Sequence, residues 1–340
     1  MALPPTAAMR PFRPPCGPSL HHPILQLLER NIMRISNSEI QVFKRCRRRW
    51  WFNYYLWLKP NTEQVTGAFP MGTRVHAALD HYYSMLIDGS STDAAANNTL
   101  LYHDLSVQDT VENTEGLNID KYTKEAELTS IMLIGYFNWL AETGADEGLT
   151  FIAAEESVSL PIHVGAGEDV TMMALLDIRF HRESDGATLF MDHKTAQELS
   201  TPLKWFHLNE QFLTYDWILK QVRPEAHTDG GMFNFLRKVK RTASAKPPFY
   251  GRLEVRHNPA ELDSFGKRLL GELRAITSLH KALDSGMDPL SLVYPTPTKD
   301  CCWECPYFQV CPMVDRQDGS AERVIELTMQ TKDPYERYDK

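Results

Sequence analysis

Between residues 151 and 196 the hydrophobic pattern changes period, and no other feature constrains the fold as much. Upstream, KEAELTSIMLIGYFNWLAE (124–142) carries apolar residues at helical spacing. FIAAEESVSLPIHV, VTMMALLDIRFHR and TLFMDHKTA then follow as extended runs, separated by the turn segments GAGED and ESDG. A helical pattern returns at LNEQFLTYDWILKQV (208–222), extended runs at GMFNFLRKV and FYGRLEVRH, and a long helix at PAELDSFGKRLLGELRAITSLHKAL with Pro259 near its first turn. Helices, strand meander, helix, strand, helix: this order predicts an α/β fold with a central mixed sheet flanked by helices.

The segment before the meander is read as helical. ISNSEIQVFKRCRRRWWFNYYLWL begins at Ser36 or Ser38 as N-cap, and GAFPMGTRVHAALDHYYSML as a turn and second helix. Residues 88–120 are polar and aperiodic and read as a loop or loosely ordered insertion. Residues 1–32 are proline-rich, with prolines at 4, 5, 11, 14 and 15 interrupting any signal-peptide core. They are expected to be a disordered extension, with 33–340 as the folded domain. No apolar run approaches the roughly 20 residues of a membrane span, so a cytoplasmic location is expected. The net charge of −8 does not advertise nucleic-acid binding, which would have to come from local basic patches.

The chemistry concentrates on two of the extended runs. Alternate residues of a strand share a face, so Asp192 and Lys194 point one way and His193 the other. Asp177 lies on the preceding strand of a predicted hairpin, within reach of Asp192. Two carboxylates beside an ammonium suit a hard, oxygen-seeking cation such as Mg²⁺. The ordinary reading of an Asp-x-Lys triplet is a solvated strand face with a surface ion pair. Against that, both acids interrupt apolar runs where solvated residues are out of place.

His76 in GTRVHAAL, Asp177 in ALLDIRF, Asp192-His193-Lys194 followed by Thr195, and Gln211-x-x-x-Tyr215 together resemble the PD-(D/E)xK nuclease superfamily. The resemblance spans roughly 36–312 and is nearest to RecB-type nucleases and to CRISPR-associated iron–sulfur exonucleases, which phages also encode. It implies a restriction-endonuclease-like core and Mg²⁺ or Mn²⁺ dependence. Asp177 and Asp192 would be metal ligands and Lys194 the catalytic lysine. His76 would be a further ligand or a phosphate contact, and Gln211 and Tyr215, one helical turn apart, would buttress the site or touch DNA. Of the acids in AAEESV, Glu156 rather than Glu155 is taken as the additional ligand.

Four of the six cysteines fall within TKDCCWECPYFQVCPMVDR. Without a secretory signal, disulfides are not expected, and spacing alone leaves zinc and an iron–sulfur cluster open. Iron–sulfur members of the resembled group pair one upstream cysteine with a later C-x2-C-x5-C. The resemblance therefore implies a [4Fe–4S] cluster on Cys46, Cys302, Cys305 and Cys311, in a C-terminal knuckle that omits Cys301.

Arg45, Arg47, Arg48 and Arg49 interleave with Trp50, Trp51, Tyr54 and Tyr55. This is either a surface that tracks and stacks a single strand or a helix with core aromatics and solvated arginines; a second basic stretch occupies 235–246. The resulting expectation is a metal-dependent exonuclease acting on DNA that is single-stranded or has free ends, in replication, recombination or repair. The alternatives are an inactive nuclease-fold DNA-binding or assembly subunit and a zinc-dependent adaptor. The intact acid and lysine set disfavours both.

Overall fold

The computed structural model describes residues 33–62, 64–165, 167–199, 206–222 and 228–339, so the expected extension at 1–32 lies outside the described residues. The chain enters as β1 (Met33–Ser36) and turns into α1 (Asn37–Arg45), where the Ser36 hydroxyl accepts the Glu39 N–H at 3.3 Å as an N-cap. The helix breaks at Cys46, whose backbone is extended, restarts as α2 (Arg47–Trp50) and widens into a π-type turn, Trp51–Tyr55. After β2 (Leu58–Pro60) come three helices, α3 (Ala68–Ile87), α4 (Thr92–Asn113) and α5 (Ile119–Thr143). The meander follows as β3 (Leu149–Gly165), β4 (Glu168–Arg182) and β5 (Ala187–Ala196). Next are α6 (Glu210–Val222), β6 (Gly231–Arg237), β7 (Tyr250–Val255) and α7 (Pro259–Asp284), the last opened by an Asn258–Glu261 capping box. A short helical turn at Pro289–Leu292 follows, then turns at Lys299–Cys302 and Cys311–Val314 that carry Cys301, Cys302 and Cys311 with Cys305 between them, and β8 (Met329–Thr331) pairs with β2.

The α/β class, the mixed central sheet and the helical N-terminal part are as expected. The loop expected across 88–120 is not: it holds α4. Its buried residues are Ala95, Thr99 and His103, a stripe repeating every four residues of which only one member is apolar. A helix that rests on so narrow and polar a seam leaves almost no hydrophobic periodicity to read.

The six-stranded sheet is organised around β4. β3 pairs antiparallel along one edge of it. The other edge is shared: β1 runs parallel from Met33↔Val170 to Ser36↔Met173, and β5 antiparallel from Ile178↔Met191 to Arg182↔Ala187. β5 pairs parallel with β6 through the α6 crossover, and β6 antiparallel with β7. One face of the sheet, with Phe190, Phe233 and Phe235, packs on α6 and α7; Phe233 and Phe212 stack at 3.6 Å between centroids. The other face, with Ile178, Phe180, Leu189 and Met191, packs on α3 and α5 through Leu79, Tyr83, Leu133 and Tyr136. No helix among the described residues is long and apolar enough to cross a membrane.

The arginine and aromatic segment resolves largely toward the core. Trp50, Trp51 and Tyr54 are buried, and so is Arg48 at 2% exposure, so these four do not form a strand-tracking surface. A π-type turn inserts an extra residue and shifts the helical phase, which carries consecutive aromatics inward. Glu39, fully buried, accepts the Trp50 indole N–H at 2.8 Å and the Tyr335 hydroxyl. Arg48 donates to the Val293 carbonyl at 2.7 Å, the Cys311 carbonyl at 3.3 Å and Asp315 at 3.0 Å. It thereby ties the N-terminal helices to the cysteine segment. Arg48→Ala should strip donors from buried carbonyls and lower stability by about 3 kcal/mol in urea unfolding. Arg48→Lys should recover less than half, since one ammonium cannot span three acceptors. A loss within about 0.5 kcal/mol, the range of ordinary surface changes, would contradict the clamp.

Candidate active site

The shared edge of β4 creates the site. Pairing with β1 ends at Met173 and pairing with β5 begins at Ile178, so Asp177 stands at the fork between strands. Its carboxylate takes the place of a strand partner, accepting the His193 backbone N–H at 2.8 Å. The same oxygen lies 3.1 Å from Nδ1 of His76, which α3 brings across from the helical layer.

Asp192 follows on β5 and is almost fully buried. Its Oδ2 is 2.5 Å from Lys194 Nζ and takes no other hydrogen bond, while Oδ1 accepts from Gln211 Nε2 at 3.0 Å. Gln211 also accepts from Lys194 Nζ at 3.0 Å and donates to the Tyr215 hydroxyl at 2.7 Å. The one-turn spacing of Gln211 and Tyr215 on α6 puts both over Asp192 and Lys194. Asn209 sets the start of that helix, its carboxamide accepting the N–H groups of Gln211 and Phe212 at 3.0 and 3.2 Å.

His76, Asp177, Asp192, Lys194, Gln211 and Tyr215 therefore converge. Glu156 is engaged elsewhere: Arg179 grips its carboxylate with two N–H donors, at 2.7 and 3.2 Å. Glu155 sits beside it with a positive φ of 43°, the left-handed region that side chains other than glycine seldom adopt.

Electrostatics separate the two aspartates. Burial raises the Asp192 carboxyl above its ordinary range, and the Lys194 charge only partly offsets this. Burial works in the same direction on Asp177, but the adjacent His76 overrides it and holds the carboxyl well below its usual value. Burial likewise opposes a charge on His76, and the Asp177 carboxylate outweighs it, raising the imidazole. Two nearby acids are thus pushed apart.

His193 is the residue whose role was not legible. Facing away from Asp192, it is buried against Tyr83, with ring centroids 5.6 Å apart, and its Nδ1 is 2.9 Å from the Asn234 amide nitrogen. Arg252 donates to the Asn234 carbonyl oxygen at 3.3 Å and to Asp146 at 2.5 Å, and the Tyr83 and Tyr136 hydroxyls join the same cluster. That fixes the amide so that it donates to His193 Nδ1 and leaves the ring proton on Nε2. This network holds the stretch of β5 whose N–H secures Asp177. From sequence, only the strand alternation of Asn234 and His193 on paired strands hints at it.

The model of the PD-(D/E)XK nuclease superfamily matches residues 34–312. The chain belongs to this superfamily. A search of curated proteins finds no match. For a member of a nuclease superfamily, hydrolysis of phosphodiesters is the implied chemistry, and the geometry at the fork fits a hard cation. Among the described residues, no group of three or more His, Cys, Asp or Glu is arranged to hold an ion as it stands. Mg²⁺, however, is commonly bound by one or two carboxylates plus water and substrate phosphate oxygens. Asp177 and Asp192 are such a pair, and Asp192 Oδ2 has a lone pair that no hydrogen bond uses.

Among the described residues Cys46 follows α1 directly, and Cys301, Cys302, Cys305 and Cys311 follow α7. Cys46 is buried and its sulfur accepts the Thr296 N–H at 3.4 Å. Burial raises the thiols of Cys305 and Cys311, the latter to about 11. Proximity adds to this: Cys46 and Cys302 act on Cys305, and Cys46 and Cys305 on Cys311. Cys301 turns aside, its thiol donating to the Arg45 carbonyl at 3.3 Å.

Burial pushes the His193 imidazole down to about 3, against an ordinary 6.5. Between those values the unfolded chain binds a proton that the native chain refuses, so this residue makes stability fall as pH is lowered through the window. In urea unfolding from pH 7 downward, His193→Phe should flatten that acid slope. An unchanged slope would show that His193 does not stay neutral in the fold.

Proposed function

We propose that this protein is a metal-dependent DNA nuclease, acting as an exonuclease on DNA that is single-stranded or has free ends. The observation that carries the reading is the simultaneous hold of Gln211 on Asp192 and Lys194, beside the forked Asp177. Asp177 and Asp192 would hold Mg²⁺ or Mn²⁺, with His76 as a further ligand or phosphate contact. When bound, the cation would supply charge neutralisation at the phosphate and a more acidic water.

The chain's own residues do the rest. Lys194 Nζ, anchored by Asp192 and Gln211, orients a water for attack or donates to a phosphate oxygen as charge develops there. Gln211 keeps both partners in register, and Tyr215 keeps Gln211. His76 steadies Asp177 while it is not engaged by a cation. An inactive DNA-binding subunit would have no use for this arrangement of buried acid, lysine and glutamine. Glu156, held by Arg179, would join the ligands only by leaving that pair. DNA replication, recombination or repair in a cytoplasm, that of the host if the chain is phage-encoded, is the setting such an enzyme would serve.

Cys46, Cys302, Cys305 and Cys311 would carry a [4Fe–4S] cluster with a structural role. Support comes from the electrostatic reach of these thiols on one another and from the separate engagement of Cys301, although among the described residues no three of them are grouped to hold an ion as they stand. Cys46 lies between α1 and α2 and the other three after α7, so a cluster here would pin the two ends of the domain together, as the Arg48 clamp already does.

Asp192→Ala should slow cleavage of end-labelled DNA with Mg²⁺ or Mn²⁺ at least about 1,000-fold, and Lys194→Ala similarly. Binding to the same DNA should persist in both. Wild-type cleavage by Asp192→Ala would overturn the site. Anaerobically purified protein should be brown, with about four irons per chain. Cys46→Ser should lose the iron and Cys301→Ser keep it. A colourless, iron-free preparation with stoichiometric zinc would replace the cluster by a zinc site.

A further inference from the structure

A cavity of about 530 Å³ is walled by α1 and α7 and by the segment around Tyr294. Its position is set by two contacts. At one end Lys44 pairs with Glu210 at 2.7 Å, next to Gln211 of the site. At the other, the backbone N–H of lining residue Thr296 reaches the Cys46 sulfur.

The lining is suited to a base and a phosphate. Tyr294 is half exposed, and the Arg47 guanidinium lies over its ring at 5.1 Å and over Phe43 at 5.4 Å. Arg47 is the one member of the arginine and aromatic segment that lines this opening. Arg268 lines it too. The Lys44 charge is spent on Glu210 and on Glu272, at 2.7 and 2.5 Å. Among the described residues neither Arg47 nor Arg268 has a carboxylate within 4.0 Å; the Arg268 charge is felt by Glu210 without a direct pair, and Glu272 on the wall is taken by Lys44.

Gly271 is a third, independent mark. It lies inside α7, where glycine is among the weakest helix formers. A Cβ there would meet no atom within 4 Å, so packing does not require its absence. It leaves room on the cavity wall.

We propose that this cavity is a nucleotide subsite of the enzyme. An unpaired base packs against Tyr294 and the plane of Arg47, and a phosphate is held by Arg268. The inference rests on the nuclease reading and deepens it: the nucleotide belongs to the single strand being cleaved. A free nucleotide offers the same chemistry, so the test separates the two.

The full-length protein with Asp192→Asn is titrated with a fluorescent oligothymidylate, and separately with thymidine monophosphate and ATP. Gly271→Leu, which fills the cavity without changing charge, should weaken oligonucleotide binding about tenfold while the melting temperature holds or rises. Arg268→Ala should weaken it similarly and reduce the slope of log affinity against log salt by about 0.7, the value for one phosphate contact on a single strand. In the otherwise wild-type enzyme both changes should raise KM and leave kcat. Unchanged oligonucleotide affinity in both variants, with cleavage still dependent on Asp192, would overturn the subsite and leave the nuclease reading standing. Mononucleotide binding as tight as that of the oligonucleotide, and alone sensitive to Gly271→Leu, would overturn the assignment to the strand. Cleavage that ignores Asp192→Ala would instead sink the nuclease reading.

Discussion

One edge of β4 serves two strands that run in opposite directions, and the interval between them is the constraint on which the site depends. A strand edge buried without partners is costly, so something polar must fill the gap. Asp177 does so, capping the His193 N–H with its own carboxylate. The cost of satisfying one backbone group becomes the means of positioning an acid. Because that acid is itself buried, it needs a positive charge nearby, and the His76 imidazole from the helical layer supplies one.

The same logic repeats around Asp192. A carboxylate at 2% side-chain exposure survives only with both of its oxygens in contact with polar partners. Lys194 and Gln211 engage them from two different elements, so the geometry of β5 relative to α6 is written into the site. Behind the sheet, Arg252, Asn234 and two tyrosines lock His193 in place. The functional face therefore has a polar buttress on its reverse side, where an apolar core would have been simpler. Polar networks of this kind hold geometry well only when their members are satisfied, and here the exception is His193 Nε2.

A second dependence joins the two ends of the domain. Glu39 and Arg48 are both buried, and each reaches a partner beyond residue 290: Tyr335 for Glu39, besides Trp50 nearby, and Val293, Cys311 and Asp315 for Arg48. Those contacts hold the cysteine segment to the N-terminal helices, where the Thr296 N–H meets the Cys46 sulfur. Aromatic packing joins the same two ends, with Phe52 on Tyr307 at 5.0 Å and Tyr54 on Tyr335 at 6.1 Å between ring centroids.

Much of the fold was legible because it follows from local rules. The switch from helical to extended period marked the meander, two-residue alternation put Asp192 and Lys194 on one face, and one-turn spacing put Gln211 and Tyr215 on another. Those are short-range consequences of backbone geometry. The helix at 92–113 was not legible, because its seam of Ala95, Thr99 and His103 carries little hydrophobic signal. Nor was the fate of the arginine and aromatic segment: an aromatic stripe reads the same whether it faces solvent or core, and a π-type turn then changed its phase. That Glu156 would be held by Arg179, that His193 would anchor a network and that Gly271 would open a wall are facts about which elements meet. Sequence alone determined the meander, the helices on either side of it with a readable period, and the residues able to do chemistry. Tertiary structure decided which of those residues share a site, because burial and partner choice are set across intervening chain, 16 residues from Asp177 to His193 and 98 from Tyr136 to Asn234, where no local period reaches.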